Sequence, residues 1–143
     1  MSDAEEHPPK TFTVDEANAL LPAIAPLVQQ LQALQRSIIE TNQQMEVLAR
    51  KLSSGNGFPI ASIKTQLKEL AKHQLQLVEA FQSALQQLEE LGAILKDLNT
   101  GLVDFYALQG PEPIFLCWKL GEERVAFWHT LEDGAAGRQP LEG

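Results

Sequence analysis

Hydrophobic residues recur every three or four positions between Ala17 and Leu98. The first series of such positions is Ala17, Leu20, Ile24, Leu27, Leu31, Leu34, Ile38, Thr41, Met45, Leu48 and Leu52. After a break at residues 53–57, the second series is Ile60, Ile63, Leu67, Leu70, Gln74, Leu77, Phe81, Ala84, Leu88, Leu91, Leu95 and Leu98. An average spacing of about 3.5 residues keeps one seam of a helix facing a partner helix. The pattern therefore predicts two long helices that form an antiparallel coiled-coil hairpin.

The start of the first helix is predicted by the segment Thr13-Val14-Asp15-Glu16, which has the spacing of a capping box. Pro22 and Pro26 lie well inside the same helix. Each proline removes an amide donor and crowds the carbonyl four residues earlier. We therefore expect a kink at Pro22/Pro26.

Apolar residues off the seam widen the hydrophobic stripe of both helices. They are Leu21, Val28, Ile39, Val47, Leu75, Val78, Leu85 and Ile94. The polar faces are rich in uncharged glutamine, and a lone hairpin would leave part of the stripe in water. Association of two hairpins into a four-helix bundle would cover it, so the pattern predicts a homodimer.

The periodicity changes after Leu98. Residues 102–107, 114–119 and 124–130 are three short runs rich in aromatic and β-branched residues, separated by turn-like segments. They predict a three-stranded antiparallel β meander and an α+β fold. The expected organisation is one domain, with a flexible leader at residues 1–11, the hairpin at 12–99, and the meander and C-terminal loop at 100–143 packed on the hairpin base.

Composition narrows the class of protein and its partners. The net charge is −8 and no segment carries a basic stripe, which disfavours nucleic acid as a partner. The longest apolar run, residues 20–28, is too short to span a bilayer, so no membrane partner is expected. The acidic N-terminus does not resemble a secretory signal, and a single cysteine cannot form an internal disulfide. These features predict a cytoplasmic protein.

Ionisable residues placed among the aromatic runs are the candidates for chemistry. Asp104 and His129 lie in predicted strands, Glu122 lies at a turn, and Glu16 lies at the hairpin base. An imidazole with carboxylates would suit zinc, manganese or iron, so these four residues are the candidate ligands of a divalent transition metal. The supporting residues are Arg138, Cys117, Trp118 and Trp128. The structural alternatives are an Asp104–Arg138 ion pair or a turn amide held by Asp104, a hydrogen-bonded His129, and core positions for Cys117 and both tryptophans.

The strand register decides the neighbours of His129. If Lys119 pairs with Arg124, then His129 shares a sheet face with Leu116 and Trp118. A shift of one residue would place it on the face of Phe115 and Cys117.

Several segments together resemble a known family. They are Phe12-Thr13 with Glu16-Ala17-Asn18 and Leu20-Leu21-Pro22, residues 101–105, Leu116-Cys117-Trp118 with Gly121-Glu122, and Phe127-Trp128-His129 with Gly134 and Gly137-Arg138. From Phe12 to Pro140 the chain is similar to an uncharacterised prokaryotic family catalogued as domain of unknown function 2203. The resemblance implies a family and no activity.

Two functions are compatible with these observations. The first is a non-catalytic interaction or assembly module that dimerises and presents a surface to a protein partner. The alternative is a divalent-metal-binding protein or small metal-dependent enzyme with its site at the hairpin base. No nucleophile–histidine spacing, metal motif or glycine-rich phosphate loop is present, so the sequence leaves enzymatic activity undecided.

Overall fold

The computed structural model describes residues 10–55 and 57–141, which fold into two long helices followed by an antiparallel sheet. The helices are α1 (Val14–Ser54) and α2 (Ile60–Glu90). The strands are β1 (Ala93–Asp97), β2 (Leu102–Gln109), β3 (Glu112–Lys119), β4 (Phe127–Thr130) and β5 (Gln139–Pro140), with a short 3-10 turn at Gly134–Gly137. The α+β prediction is confirmed. The prediction of three strands is wrong, because the described chain contains five.

The capping box forms at the start of α1. The Thr13 amide donates to Glu16 Oε1 at 2.9 Å, and the Glu16 amide donates to Thr13 Oγ1 at 3.1 Å. This exchange satisfies two amides that the first helical turn leaves without partners. The helix continues through Pro22 and Pro26, and the kink at those residues stays a prediction.

The second helix is shorter than the hydrophobic spacing suggests. It ends at Glu90, and Gly92 adopts a positive φ of 91° while its amide donates to the Glu89 carbonyl. Ala93–Asp97 then forms β1 and pairs with β2. The expectation that the helix continues to Leu98 is wrong because glycine ends it and strand pairing supplies new partners for the backbone.

The sheet has the order β1-β2-β3-β4-β5, and every neighbouring pair is antiparallel. Asp104 lies opposite Cys117, and His129 lies opposite Phe115. The register that would have placed His129 with Leu116 and Trp118 is therefore wrong, and the register shifted by one residue is confirmed. The third predicted strand, residues 124–130, is β4 in the structure and starts only at Phe127. Ahead of it, the Val125 amide donates to Asn18 Oδ1 of α1 at 2.7 Å and so does not pair with a strand.

The described chain divides into two compact units. We call Gln30–Gln86 the arm unit, and the described residues 10–29 and 87–141 the sheet unit. The sheet unit contains most of the fully buried side chains, which alternate along β2 and β3 and include Val103, Phe105, Leu116 and Trp118. The Phe105 ring meets the Phe12 ring edge-on at 5.4 Å between centroids.

The predicted leader, residues 1–11, lies outside the described residues except for Lys10 and Thr11. The division of the chain at residues 99/100 and its treatment as one domain stay predictions. Within residues 10–55 and 57–141, neither helix combines the length and apolar character that crossing a membrane requires.

Candidate functional site

Three neighbouring strands bring together one aspartate, one cysteine and one histidine. Asp104 is on β2, Cys117 is directly opposite it on β3, and His129 is on β4 opposite Phe115. Because side chains two residues apart on a strand share a face, Cys117 and Phe115 place His129 on the face of Asp104. We call Asp104, Cys117 and His129 the buried trio.

The trio is withdrawn from solvent. The exposed fraction is 0% for Asp104, 0% for Cys117 and 1% for His129. One carboxylate oxygen, the thiol sulfur and one imidazole nitrogen all lie within 4.8 Å of one another. Such a cluster of titratable groups inside a sheet is unusual, because burial of polar groups costs free energy unless they find partners.

Hydrogen bonds set the orientation of the imidazole. His129 Nδ1 lies 2.7 Å from the Thr130 carbonyl oxygen, which can only accept, so Nδ1 carries a proton and donates it. His129 Nε2 lies 2.9 Å from Asp104 Oδ2. This contact holds one proton between the imidazole and the carboxyl group. The other oxygen, Asp104 Oδ1, is buried and has no nitrogen or oxygen partner among the described residues.

Burial raises the pKa of the Asp104 carboxyl group above its usual value. His129, the Cys117 thiol and Lys96 act in the opposite direction but do not cancel the effect of burial. Lys96 Nζ lies 3.9 Å from Asp104 Oδ2 and 4.5 Å from the centroid of the Phe115 ring. Asp104 thus combines a costly buried location with three cationic or proton-donating neighbours, His129, Cys117 and Lys96.

The thiol of Cys117 is held in its protonated form. Burial, followed by the nearby Asp104 charge, raises the pKa of Cys117 to about 11, although Arg138 acts to lower it. A thiol with this pKa is a poor nucleophile at neutral pH. The structure therefore agrees with the interpretation of Cys117 as a buried residue and gives no support to nucleophilic catalysis.

Glu122 and Arg138 form an ion pair beside Cys117, whose thiol interacts with Arg138. Arg138 Nη2 donates to Glu122 Oε1 at 2.7 Å, and Nη1 donates to Oε2 at 3.0 Å. Glu122 Oε1 also accepts the Lys119 amide at 2.8 Å. Burial acts to raise the pKa of Glu122. The hydrogen bonds from Arg138 and the Lys119 amide, together with the positive charges of Arg138 and Lys119, outweigh burial, so the pKa is lowered. The alternative in which Arg138 pairs with Asp104 is wrong, because both terminal nitrogens of the guanidinium bind Glu122.

The four residues predicted as metal ligands therefore do not form one site. Glu16 binds the Thr13 amide in the capping box, and both oxygens of Glu122 bind Arg138. Only Asp104 and His129 come together, and Cys117 replaces the other two. Because side chains alternate between the two faces of β3, the position of Cys117 beside Asp104 and His129 could have been predicted only if the strand register were known.

The two tryptophans lie on the opposite face from the trio. Trp118 is 2% exposed and its indole N–H donates to the Glu122 carbonyl at 2.9 Å. Trp128 is opposite Leu116 and is half-buried. The core position expected for Trp118 is confirmed, and neither ring shares the face of Asp104.

Comparison with known proteins gives a family and no activity. Residues 10–141 match the family described as an uncharacterized conserved protein (DUF2203), so the chain belongs to that family and the predicted resemblance is confirmed. Neither a curated protein nor a solved structure matches the chain.

Proposed function

We propose that this member of the DUF2203 family is an assembly module that dimerises through its arm unit. The observation that carries the proposal is the incomplete burial of the seam between α1 and α2. Of the seam residues in the arm unit, only Leu31, Thr41, Ile63 and Ala84 are fully buried. The half-buried ones are Leu34, Ile38, Met45, Leu48, Leu52, Leu67, Leu70, Gln74, Leu77 and Phe81.

Two helices alone cannot enclose a stripe of this width. Ile39, Val47 and Leu75 are 50%, 42% and 60% exposed, although each is a large apolar side chain. An apolar groove between the helices of the arm unit is lined in part by Val47, Leu48 and Leu70. Apolar surface of this kind is a common feature of protein interaction sites.

The pairing of α1 with α2 determines which residues of the two helices line the groove of the arm unit. Gln74 Nε2 of α2 donates to the Ile38 carbonyl of α1 at 2.9 Å, so these two residues lie side by side. In an antiparallel pair, Leu48 then lies close to residue 64, which agrees with Thr65 and Gln66 in the groove lining. The groove is thus a regular extension of the seam, suited to receive another helix.

The charge distribution favours a second copy of the chain as the occupant. The arm unit contains six basic and four acidic residues, a net charge of +2, whereas the whole chain carries −8. The remainder of the chain therefore carries −10 and would repel its copy. Association through the nearly neutral, glutamine-rich arm unit brings no excess of acidic residues into the interface and buries the apolar stripe.

A charge inside the groove tests the proposal. Val47→Glu should convert the dimer to a monomer, because association would bury an unpaired carboxylate. Since Val47 is 42% exposed in a single chain, the helix itself tolerates the change. The measurement is sedimentation velocity of the full chain over a range of concentrations.

Gln43→Glu is the matched control, because Gln43 is an exposed residue of α1 that does not line the groove and the charge change is comparable. It should leave the sedimentation profile unchanged. A monomeric wild-type chain, or a dimer that survives Val47→Glu, would contradict the proposal.

We further propose that the protein is cytoplasmic, binds an additional protein partner and does not bind nucleic acid. The support is the acidic composition and the uncharged polar faces of the helices. In the alternative function, metal binding by Asp104, Glu122, Glu16 and His129 together, two of the carboxylates would have to exchange protein partners for the metal.

A further inference from the structure

We infer that the buried trio of Asp104, Cys117 and His129 is a binding site for one zinc ion. This inference is independent of the assembly function, since all three residues belong to the sheet unit. Three adjacent strands supply the ligands, and backbone pairing between those strands fixes their spacing.

The donor atoms suit zinc. A thiol sulfur, an imidazole nitrogen and a carboxylate lie within 4.8 Å of one another. Zinc accepts sulfur, nitrogen and oxygen in a tetrahedral arrangement, whereas magnesium and calcium prefer oxygen alone. The three side chains offer three ligand atoms, which leaves the fourth position of a tetrahedral zinc ion for a further ligand.

The hydrogen bond of His129 is the one that metal-binding histidines usually make. Its Nδ1–H donates to the Thr130 carbonyl at 2.7 Å, which leaves Nε2 directed toward Asp104. In zinc proteins the ring nitrogen that does not bind the metal commonly donates to a carbonyl or carboxylate, and this fixes the ring. The imidazole of His129 is therefore already oriented for coordination.

An unpartnered oxygen gives independent support. Asp104 Oδ1 is buried and has no nitrogen or oxygen partner among residues 10–55 and 57–141. Leaving a buried carboxylate oxygen without a partner is costly, and most such atoms in proteins find one. A cation between Asp104, Cys117 and His129 would supply the missing interaction.

Two cations lie beside the proposed ion: Arg138, which interacts with the Cys117 thiol, and Lys96, which competes with the ion for Asp104. Lys96 Nζ lies 3.9 Å from Asp104 Oδ2, and the Lys96 side chain is 39% exposed. Because the ammonium group is at the surface, it can turn into solvent when an ion binds. Binding also requires the Cys117 thiol to lose its proton and the Asp104–His129 pair to lose the proton that it shares.

Cobalt(II) titration of the tag-free full chain, after removal of metals with a chelator, is the direct test. Cys117 is the only cysteine of the chain, so a thiolate-to-cobalt charge-transfer band reports coordination by that residue. We expect the band to saturate at one cobalt per chain and to disappear when zinc is added. A wild-type chain that binds no cobalt, or that binds it without this band, would overturn the inference.

Two variants at the site and one away from it complete the test. Cys117→Ala should abolish the band, and Asp104→Asn should weaken zinc binding by more than about 10-fold, as measured by competition with a chromophoric chelator. His73→Ala removes an exposed histidine of the arm unit and should change neither result. Unchanged zinc affinity in a folded Asp104→Asn variant, as judged by circular dichroism, would overturn the inference.

Lys96→Gln provides a test that does not require a ligand to be removed. Without the competing ammonium, zinc should bind more tightly, by up to about 5-fold. Weaker binding would contradict the proposed location of the ion beside Asp104. The Val47→Glu variant should bind cobalt as the wild type does, so failure of the assembly proposal and failure of the zinc proposal are distinguishable.

Discussion

Asp104 is a carboxylate in a position where most proteins place an apolar residue. It is fully buried between β1 and β3, and its partners are a histidine, a thiol and the end of a lysine side chain. The raised pKa shows that burial outweighs the favourable interactions with His129, Cys117 and Lys96. The residue therefore lowers the stability of the metal-free fold at neutral pH relative to a neutral residue of the same shape.

The pH dependence of stability follows from the direction of that shift. A pKa raised in the folded state means that the fold holds a proton which the unfolded chain has already released. The wild type should therefore be most favoured relative to Asp104→Asn below the unfolded pKa of about 4, and this advantage should disappear as the pH rises through the folded pKa. Urea unfolding of both proteins from about pH 4 to pH 8, with a chelator present, measures the difference.

The opposite trend would contradict this account of Asp104. An advantage of the wild type that grows with pH would mean that the ionised carboxylate is stabilised by a charged His129 and Lys96 more than it is penalised by burial. Lys96→Gln separates the two contributions, because it removes the 3.9 Å interaction and leaves the His129 contact in place.

At the scale of elements, the junction between α2 and β1 determines where the helical part of the chain ends. Gly92 has a φ of 91°, and a Cβ atom there would lie 2.5 Å from Phe12 Cζ. The Phe12 ring is itself 5% exposed and packed against Phe105, so it has little room to move. Glycine is thus required both by the backbone conformation and by the space available.

Gly92→Ala should lower the free energy of unfolding by about 3 kcal/mol, since it combines backbone strain with an overpacked contact. Gly110→Ala is the matched control. Gly110 also has a positive φ, of 61°, but an added Cβ would meet nothing within 4 Å, so the cost should be about 1 kcal/mol of backbone strain alone. Denaturant unfolding of the two variants measures both losses of unfolding free energy. Equal losses would show that the Phe12 ring moves aside without a free-energy penalty.

At the scale of the whole molecule, charge and apolar surface are separated along the chain. The arm unit carries +2 and most of the exposed large apolar residues, while the rest of the chain carries −10. Hydrophobic association is insensitive to screening, whereas repulsion between the acidic parts is reduced by salt. The proposed dimer should therefore respond to salt in a definite direction.

Raising the salt concentration from about 0.05 M to about 0.5 M should strengthen dimerisation, because the Debye length falls and the repulsion between acidic parts is screened. Sedimentation equilibrium at several salt concentrations measures the dissociation constant. A dimer that weakens as salt increases would indicate attraction between opposite charges at the interface, and would place the contact outside the apolar groove.

The local features of this fold are readable from the amino-acid sequence. Thr13 and Glu16 predicted the start of α1, and the seam residues predicted two long helices. The aromatic runs predicted most of β2 and β3 and all of β4. The residues from Phe12 to Pro140 also identified the family. The signals for helices and strands each relate residues within about one or two turns of helix or one strand, where chain geometry alone relates side chains to one another.

Contacts between residues far apart in the sequence depend on strand pairing and packing. Ala93–Asp97 has helical spacing but forms β1, because pairing with β2 overrides local preference, and the short β5 exists only through its pairing with β4. The trio depends on a register in which a shift of one residue would turn His129 to the other face. Glu122 binds Arg138 and does not form a metal site with Asp104. The position of Arg138 depends on how the chain folds, so sequence spacing could not predict this pair. Contacts between distant segments are set by packing and strand pairing, and neither is encoded in the periodicity of one segment.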